Sequence, residues 1–244
     1  MKEIKIGIHI PKTAGTSLRV ALQNSQQNIV YLYRLPPGIR RSELIEKLKI
    51  IENDETQLPD IIYGHMGYGL HEYFQFPATY FTILRDPIER AISLYRHEKR
   101  HENALFHEKA KRLNIAEFFQ ENLSPIFKNS MTKILSGALW QKINWFLAHE
   151  EKDELEIARK NLNQFSYVGF TENIDADQEG LSDYFGFNIQ LEHHNCDPEP
   201  ISREDLDDHT IEIICQNFQD DIALYEFAKE KFLKKSQLEF EEVR

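Results

Sequence analysis

The sequence has few of the residues and patterns that define several large classes of protein. Only two of its 244 residues are cysteines, Cys196 and Cys215, so a disulfide framework is excluded and a reducing compartment is expected. No apolar run is long enough to cross a membrane, and no signal peptide precedes the first predicted strand. We therefore expect a cytoplasmic protein without a membrane partner.

Positive charge is also scarce, since 29 Lys and Arg residues face 40 Asp and Glu residues and the net charge is −11. Nucleic-acid binding needs a broad basic face, so that class is disfavoured. A long polyanionic substrate is disfavoured too, unless the positive charge is concentrated in one cleft. The most basic stretch, residues 99–112, predicts either a solvated helical face or one wall of a substrate cleft.

The order of the periodic segments predicts one α/β domain that spans 1–244. Short β-branched segments alternate with helical patterns as far as residue 100, which indicates right-handed crossovers and a parallel sheet. We expect a P-loop-like three-layer domain, with a central parallel sheet flanked by helices, a helical C-terminal half and a frayed tail at about 235–244. The strands are expected at 4–10, 28–33, 59–63, 79–84 and 165–170, and helices after Leu18, Ser42 and Asp86, through most of 100–164, and over 172–187, 211–218 and 224–228.

A small-residue turn, PKTAGTS at 11–17, lies between the first strand and the first helix. Unpaired N–H groups and the dipole at a helix start favour an anion, and Lys12 and three hydroxyl groups add donors. The turn differs from the Walker phosphate loop, which ends in Gly-Lys-Ser/Thr, because Lys12 precedes Gly15 and no Gly-Lys pair occurs. It predicts an anion site of another type.

A second segment, FTILRDPIERAISLYRH at 81–97, has the same strand-to-helix form. Asp86 is a natural N-cap and Pro87 a natural first helical residue. Arg85, at the end of the strand, offers a planar fork of donors that suits a phosphate, and Ser93 adds a hydroxyl two turns later. Taken alone, Arg85 and Ser93 would each be better explained by a structural role, with Arg85 paired to a carboxylate and Ser93 simply exposed.

The two segments together resemble the sulfotransferase superfamily that uses 3′-phosphoadenosine 5′-phosphosulfate (PAPS). The similarity is to bacterial family-2 sulfotransferases and to heparan sulfate and related carbohydrate 2-O-sulfotransferases. Weaker similarities at 129–137, 167–172 and 221–228 extend it over nearly the whole chain. The resemblance implies PAPS as donor and no metal. It also implies that the 5′-phosphosulfate is held by Lys12, Thr13, Ala14, Gly15, Thr16 and Ser17, and the 3′-phosphate by Arg85 and Ser93.

Two catalytic residues are expected from chemistry and resemblance together. An ammonium at Lys12 would stabilise charge on the bridging oxygen as the sulfur–oxygen bond breaks. His65, in the glycine-rich loop that follows the third strand, is our candidate for the base that deprotonates an acceptor hydroxyl. The resembled enzymes often carry His-Gly-His there, whereas Tyr63 occupies the first position here. A loop histidine bonded only to backbone is the alternative for His65.

The other candidate bases are weaker. His71 is the second choice, and His9 is expected to be buried or adjacent to the ligand. His193 and His194 have the pattern of a surface pair, with no spaced ligands that predict a metal site. Glu89 and Glu172 are expected to be structural carboxylates.

The predicted function is transfer of a sulfuryl group from PAPS to a hydroxyl group of a saccharide or small metabolite. A nucleotide kinase is an alternative, although it lacks Gly-Lys-Ser/Thr and an evident magnesium-binding carboxylate. A non-catalytic nucleotide-binding protein of the same fold is another. The sequence specifies neither the acceptor nor the oligomeric state.

Overall fold

The structure, a computed structural model, describes residues 2–33, 46, 57–121, 127–138, 153–192 and 201–242, with side chains described as far as residue 233. The helix predicted after Ser42 lies outside these residues, as do Cys196 and the pair His193 and His194. Across the described part of the chain, no helix has both the length and the apolar character needed to span a bilayer.

The described strands form one parallel sheet with the spatial order β2-β3-β1-β4-β5. Because β1 lies between β3 and β4, the chain crosses from one half of the sheet to the other beside β1, and ligands of such sheets bind at the carboxyl ends of the strands there. The predicted parallel α/β sheet is confirmed. The strands are β1 Ile4–Ile8, β2 Ile29–Leu32, β3 Ile61–Gly64, β4 Ala78–Leu84 and β5 Phe165–Phe170.

Helices cover both faces of the sheet and continue through the C-terminal half. One buried cluster packs β1 against the last helices through Ile6, Leu162 and Leu224, and another packs α1 on the opposite face through Leu18 and Phe81. The predicted three layers are therefore present. The helices are α1 Gly15–Gln23, α2 Pro87–Arg100, α3 His107–Arg112, α4 Ile115–Gln120, α5 Ser130–Leu135, α6 Glu154–Leu162, α7 Gln178–Phe185, α8 Asp208–Asn217 and α9 Gln219–Glu242, with 3-10 turns at Leu70–Tyr73, Thr171–Asn173 and Arg203–Asp205.

The start of α2 agrees with its sequence signal. The Asp86 carboxylate accepts hydrogen bonds from the backbone N–H groups of Ile88 and Glu89, at 2.9 and 3.1 Å, and Pro87 is the first helical residue. The predicted N-cap is confirmed. Arg85 is thereby fixed between the end of β4 and the start of α2.

The helix expected over 172–187 is shorter than predicted, because α7 begins only at Gln178. The preceding 3-10 turn is held by tertiary contacts that a continuous helix could not make. The Thr171 hydroxyl donates to the Leu84 carbonyl at 3.0 Å, and the Glu172 carboxylate accepts from the Asp86 N–H and the Tyr225 hydroxyl, each at 2.8 Å. Glu172 is thus a structural carboxylate that ties β5, α2 and α9 together.

A buried ion pair anchors the turn after β1 to the C-terminal helices. Arg90 contacts the Asp221 carboxylate at 3.4 Å, and its Nε donates to the Pro11 carbonyl at 3.3 Å. Asp221 is fully buried and also accepts hydrogen bonds from the N–H groups of Met131 and Thr132. A buried ion pair needs such extra hydrogen bonds to offset the desolvation of its two charges. With these bonds in place, Arg90 and Asp221 hold the turn after β1 rigidly. The helical tail continues to Glu242, and the fraying of residues 235–244 remains a prediction.

Candidate active site

The turn between β1 and α1 adopts an unusual backbone conformation. Lys12 and Ala14 have φ values of 73° and 58°, in the left-handed region that non-glycine residues rarely adopt. Such alternation lets successive N–H groups converge on one point and forms a concavity that favours anions. The Thr13 hydroxyl donates to the Ile10 carbonyl at 2.9 Å, and this buried contact helps to hold the conformation. Backbone strain of this kind persists only where the surroundings enforce it.

A cleft of about 730 Å³ lies at the carboxyl edge of the sheet, within the usual size range of small-molecule sites. It brings together all but one of the predicted site residues. The exception is Thr13, whose hydroxyl is directed to the Ile10 carbonyl and supports the loop instead of lining the cleft. The predicted residues that line the cleft are Lys12, Ala14, Gly15, Thr16, Ser17, His65, Arg85 and Ser93.

One side of the cleft, which we call the basic wall, consists of Lys12, Arg85, Ser93 and His97. The Arg85 guanidinium lies 3.5 Å from the Lys12 carbonyl oxygen and 3.5 Å from the Glu89 carboxylate. Its Nε is buried without a hydrogen-bond partner. Burial, followed by the nearby guanidinium groups, lowers the pKa of Lys12 to about 8. The cations of this wall therefore repel one another and favour a bound anion.

His97 is a cleft residue that the sequence reasoning missed. Burial, followed by repulsion from Lys12, lowers its pKa to about 4, so the imidazole is neutral near pH 7. The signal was its position four residues after Ser93, which places both side chains on one face of α2. Burial and nearby charges lower the pKa of His101 as well, and the two imidazole rings lie 4.4 Å apart.

The opposite side, which we call the aromatic wall, consists of His9, Tyr33 and His65 at the cleft, with the buried Tyr63 packed behind His9. His9 stacks on Tyr63 with ring centroids 5.6 Å apart, and its Nδ1 shares a hydrogen bond of 2.8 Å with the Tyr33 hydroxyl. The His65 ring lies 4.6 Å from that of His9 and 4.9 Å from that of Tyr33. Of the two histidines, His9 is buried and His65 is exposed to the cleft.

The buried imidazole of His9 is kept neutral. Burial and then repulsion from His65 hold its pKa well below the usual value. The ring lies so close to the loop that a Cβ at Gly15 would come within 1.9 Å of it. Glycine is therefore required at position 15 to let His9 support the wall, and the expectation that His9 is buried next to the ligand site agrees with its place in the structure.

Sequence comparison identifies the family. A model of the sulfotransferase family matches residues 6–228. The chain belongs to the sulfotransferase family. The predicted family and the predicted enzyme class, a sulfotransferase, are thereby confirmed.

Two solved structures are similar to this sulfotransferase. One is the mouse sulfotransferase SULT7A1 complexed with PAP, with 12% identity, coverage of 100% of this chain and 90% of that chain, and a TM-score of 0.46. The other is a sulfotransferase from Alicyclobacillus acidocaldarius, with 15% identity, coverage of 93% and 95%, and a TM-score of 0.49. A search of curated proteins finds no match.

The other histidine that the sequence offered as base lies elsewhere in this sulfotransferase. His71 is in the 3-10 turn after β3, where its Nδ1 shares a hydrogen bond of 2.9 Å with the Tyr80 hydroxyl, and it does not contribute to the described lining of the cleft. Among the residues that the structure describes, no group of three His, Cys, Asp or Glu side chains could hold a metal ion. Independence from metals remains a prediction.

The sequence left open whether the basic stretch at 99–112 forms a wall of the cleft or a solvated helical face, and its two ends differ in this respect. The charge of Arg100 acts on Lys12 and so belongs electrostatically to the cleft. In contrast, Lys109 forms an exposed ion pair with Glu121 at 2.6 Å, and Arg112 donates to the carbonyl of its own helix at 3.3 Å. Arg100 therefore acts on the charge of the basic wall without lining the cleft, whereas α3 presents a solvated face.

Proposed function

We propose that this sulfotransferase transfers the sulfuryl group of PAPS to a hydroxyl group of a saccharide or small metabolite. The observation that carries the proposal is the meeting of its two nucleotide segments, because the Arg85 guanidinium reaches the Lys12 carbonyl at 3.5 Å. One ligand can therefore contact both segments. The family match favours this function over the nucleotide kinase that the sequence left open.

The residues present suit a donor with phosphate groups at two ends. We assign the 3′-phosphate to Arg85 and Ser93, since the unpartnered Arg85 Nε is a buried donor that an anion would satisfy. We assign the 5′-phosphosulfate to the loop from Lys12 to Ser17, where left-handed residues turn N–H groups inward next to the start of α1. In this assignment Thr13 contributes through the backbone, because its hydroxyl is used internally.

Lys12 is proposed to bind and to catalyse. With a pKa of about 8 it is largely protonated at pH 7, and an anion beside it raises that pKa further. Bound PAPS supplies the activated sulfuryl group. The role of the Lys12 ammonium is to stabilise the negative charge that develops on the donor's bridging oxygen, in a site shielded from water where such an interaction is strong.

His65 is proposed as the general base. Its imidazole is the one in the aromatic wall that is exposed to the cleft, so it can reach a proton on an acceptor hydroxyl. The neighbouring neutral His9 and Tyr33 rings restrict its orientation without adding charge. The wall thus presents an imidazole opposite the cationic loop.

The test combines donor binding with transfer. Calorimetry with adenosine 3′,5′-bisphosphate (PAP) and with ATP, each with and without Mg²⁺, should show tighter binding of PAP that does not depend on Mg²⁺. Radiolabelled PAPS should then label a member of a panel of alcohols. Tight ATP binding that requires Mg²⁺ would overturn the proposal in favour of a kinase. PAP binding with no transfer to any alcohol would favour the non-catalytic alternative.

A further inference from the structure

Arg19, one turn into α1, is a half-buried cation of the cleft that the donor assignment does not use. Its Nε is sheltered from solvent and has no hydrogen-bond partner. Within the described residues, no carboxylate forms an ion pair with it. Because a buried donor without a partner costs free energy, such a group on the wall of a cleft points to an acceptor atom supplied by a ligand.

Three other buried or half-buried arginines in the described part of the chain have anionic partners. Arg90 pairs with Asp221, and Arg85 lies beside Glu89. The Nε of Arg159 is also unpartnered, but its other nitrogens contact the Glu156 carboxylate and the Ala223 carbonyl. Arg19 therefore differs from these arginines: it lines the cleft, and among the residues that the structure describes it has no ion-pair partner, although Asp175 and Glu192 line the same cleft.

Aromatic contacts hold the guanidinium of Arg19 in place, and they leave its positive charge uncompensated. It stacks on the Tyr33 ring at 5.1 Å, and the Tyr33 hydroxyl is fixed by its hydrogen bond to His9. The His65 ring lies 4.9 Å from the same tyrosine ring. Tyr31 adds a second buried donor without a partner, and the charge of Arg19 acts on it. An unsatisfied cation thus lies on the side of the cleft that holds the candidate base, and the Tyr31 hydroxyl, which does not line the cleft, is buried within reach of its charge.

We propose that Arg19 binds an oxyanion of the acceptor, either a carboxylate or a phosphate carried near the hydroxyl group that His65 deprotonates. The inference rests on the proposed function and narrows it from alcohols in general to anionic alcohols. A guanidinium is the side chain best suited to both oxyanions because its fork binds two oxygens at once. Arg19 belongs to the acceptor side because its ring contact is with the aromatic wall, whereas the donor phosphates are assigned to Lys12 and Arg85.

The test compares three acceptors that differ in one group: p-nitrophenyl β-D-glucoside, the corresponding glucuronide and the glucoside 6-phosphate. With PAPS as donor, the wild-type enzyme should sulfate at least one anionic glycoside with a kcat/KM about 10- to 100-fold above that of the neutral glucoside. Arg19→Gln should remove this preference, so that the anionic and neutral glycosides react with similar kcat/KM, and should leave the Kd of PAP unchanged. The two anionic glycosides distinguish a carboxylate from a phosphate.

Arg159→Gln is the matched control, because it removes a stacked helical arginine outside the cleft and should keep the preference. Arg19→Lys retains a cation and should keep part of the preference for anionic glycosides. It replaces Arg19→Gln in the test if that variant folds poorly. Equal rates for all three acceptors with the wild-type enzyme, or an Arg19→Gln variant that weakens PAP binding as much as acceptor use, would overturn the inference.

A separate binding measurement distinguishes failure of this inference from failure of the proposed function. Saturation-transfer NMR on the PAP-free protein should detect the anionic glycosides with the wild type and lose them with Arg19→Gln. If the anionic glycosides bind in an Arg19-dependent way but no sulfuryl group is transferred, the anion site is supported and the proposed function is contradicted. If transfer from PAPS occurs but does not depend on Arg19, the proposed function is supported and the anion site is contradicted.

Discussion

The two walls of the cleft handle charge in opposite ways. In the basic wall, burial, followed by repulsion from neighbouring cations, lowers the pKa of Lys12 to about 8 and that of His97 to about 4. In the aromatic wall, rings stack on rings, the buried histidine is neutral, and Arg19 is the adjacent cation. An acidic protein with a net charge of −11 thus concentrates positive potential on one side of a single cleft.

This contrast suggests a division of labour between the walls. Repelling cations gain most from a multiply charged ligand, which suits the phosphate groups of the donor. Packed rings fix geometry without charge, which suits the orientation of a hydroxyl and its base. Changes in the basic wall should therefore affect donor binding, and at Lys12 turnover as well, whereas changes in the aromatic wall should affect turnover and packing.

The largest effect is expected from the base of the aromatic wall. His65→Gln should lower kcat by about 10²- to 10⁴-fold, because the variant cannot take a proton from the acceptor. The Kd of PAP, measured by calorimetry, should remain within about threefold of the wild type if the walls act separately. His71→Gln is the control, since it removes a histidine that is bonded to Tyr80 and should retain most of the activity. Full activity in His65→Gln would refute the base assignment.

The next effect is expected in the basic wall. Arg85→Ala should weaken PAP binding by about 10- to 100-fold, because it removes charge-assisted hydrogen bonds to a phosphate. The kcat at saturating PAPS should change much less. Arg112→Ala, in the solvated α3 helix, should bind PAP as the wild type does. If Arg85→Ala lowers kcat and leaves PAP binding intact, the proposed division between the walls is wrong.

The basic wall should also give donor binding a pH dependence. The pKa of Lys12 is lowered to about 8, so in the free protein the ammonium is present below that pH and is lost above it. An anion raises the pKa again, and PAP affinity should therefore be constant from pH 7 to 8 and fall by about tenfold per unit above pH 8. Calorimetry from pH 7 to 9.5 measures this. His97 remains neutral throughout and contributes no slope.

Lys12→Arg provides the matched comparison for that pH profile. Arginine keeps its charge over the whole range, so any PAP binding by this variant should lack the slope above pH 8. The same slope in both proteins would show that another group, and not Lys12, controls the affinity.

The basic wall was largely predictable from the sequence, whereas for the aromatic wall the sequence predicted His65 and His9 individually but not the contacts that join them to Tyr33. Lys12, Arg85 and Ser93 belong to local strand-turn-helix segments, in which a few adjacent residues specify both the backbone and the direction of the donors. The N-cap at Asp86 and the parallel sheet follow from equally local signals. Short-range sequence signals are therefore sufficient to place these features.

The aromatic wall depends on contacts between residues far apart in the chain. His9, Tyr33 and His65 come from the ends of three different strands, and only the order of β2, β3 and β1 in the sheet makes them neighbours. Sequence periodicity gives strands but not their order. For the same reason the stacking of Arg19 on Tyr33 could not be foreseen.

The smallest expected effect tests how tightly the aromatic wall is packed. Gly15→Ala places a methyl group 1.9 Å from the His9 ring, and the resulting strain should cost about 1–3 kcal/mol of unfolding free energy. The melting temperature should fall by about 2–4 °C per kcal/mol. In a His9→Ala background the same change should cost about 0.5 kcal/mol or less, because the opposing ring is gone. If Gly15→Ala alone is as stable as the wild type, the ring of His9 must move freely to make room for the methyl group. The aromatic wall would then fix the geometry of His65 no better than a mobile loop would.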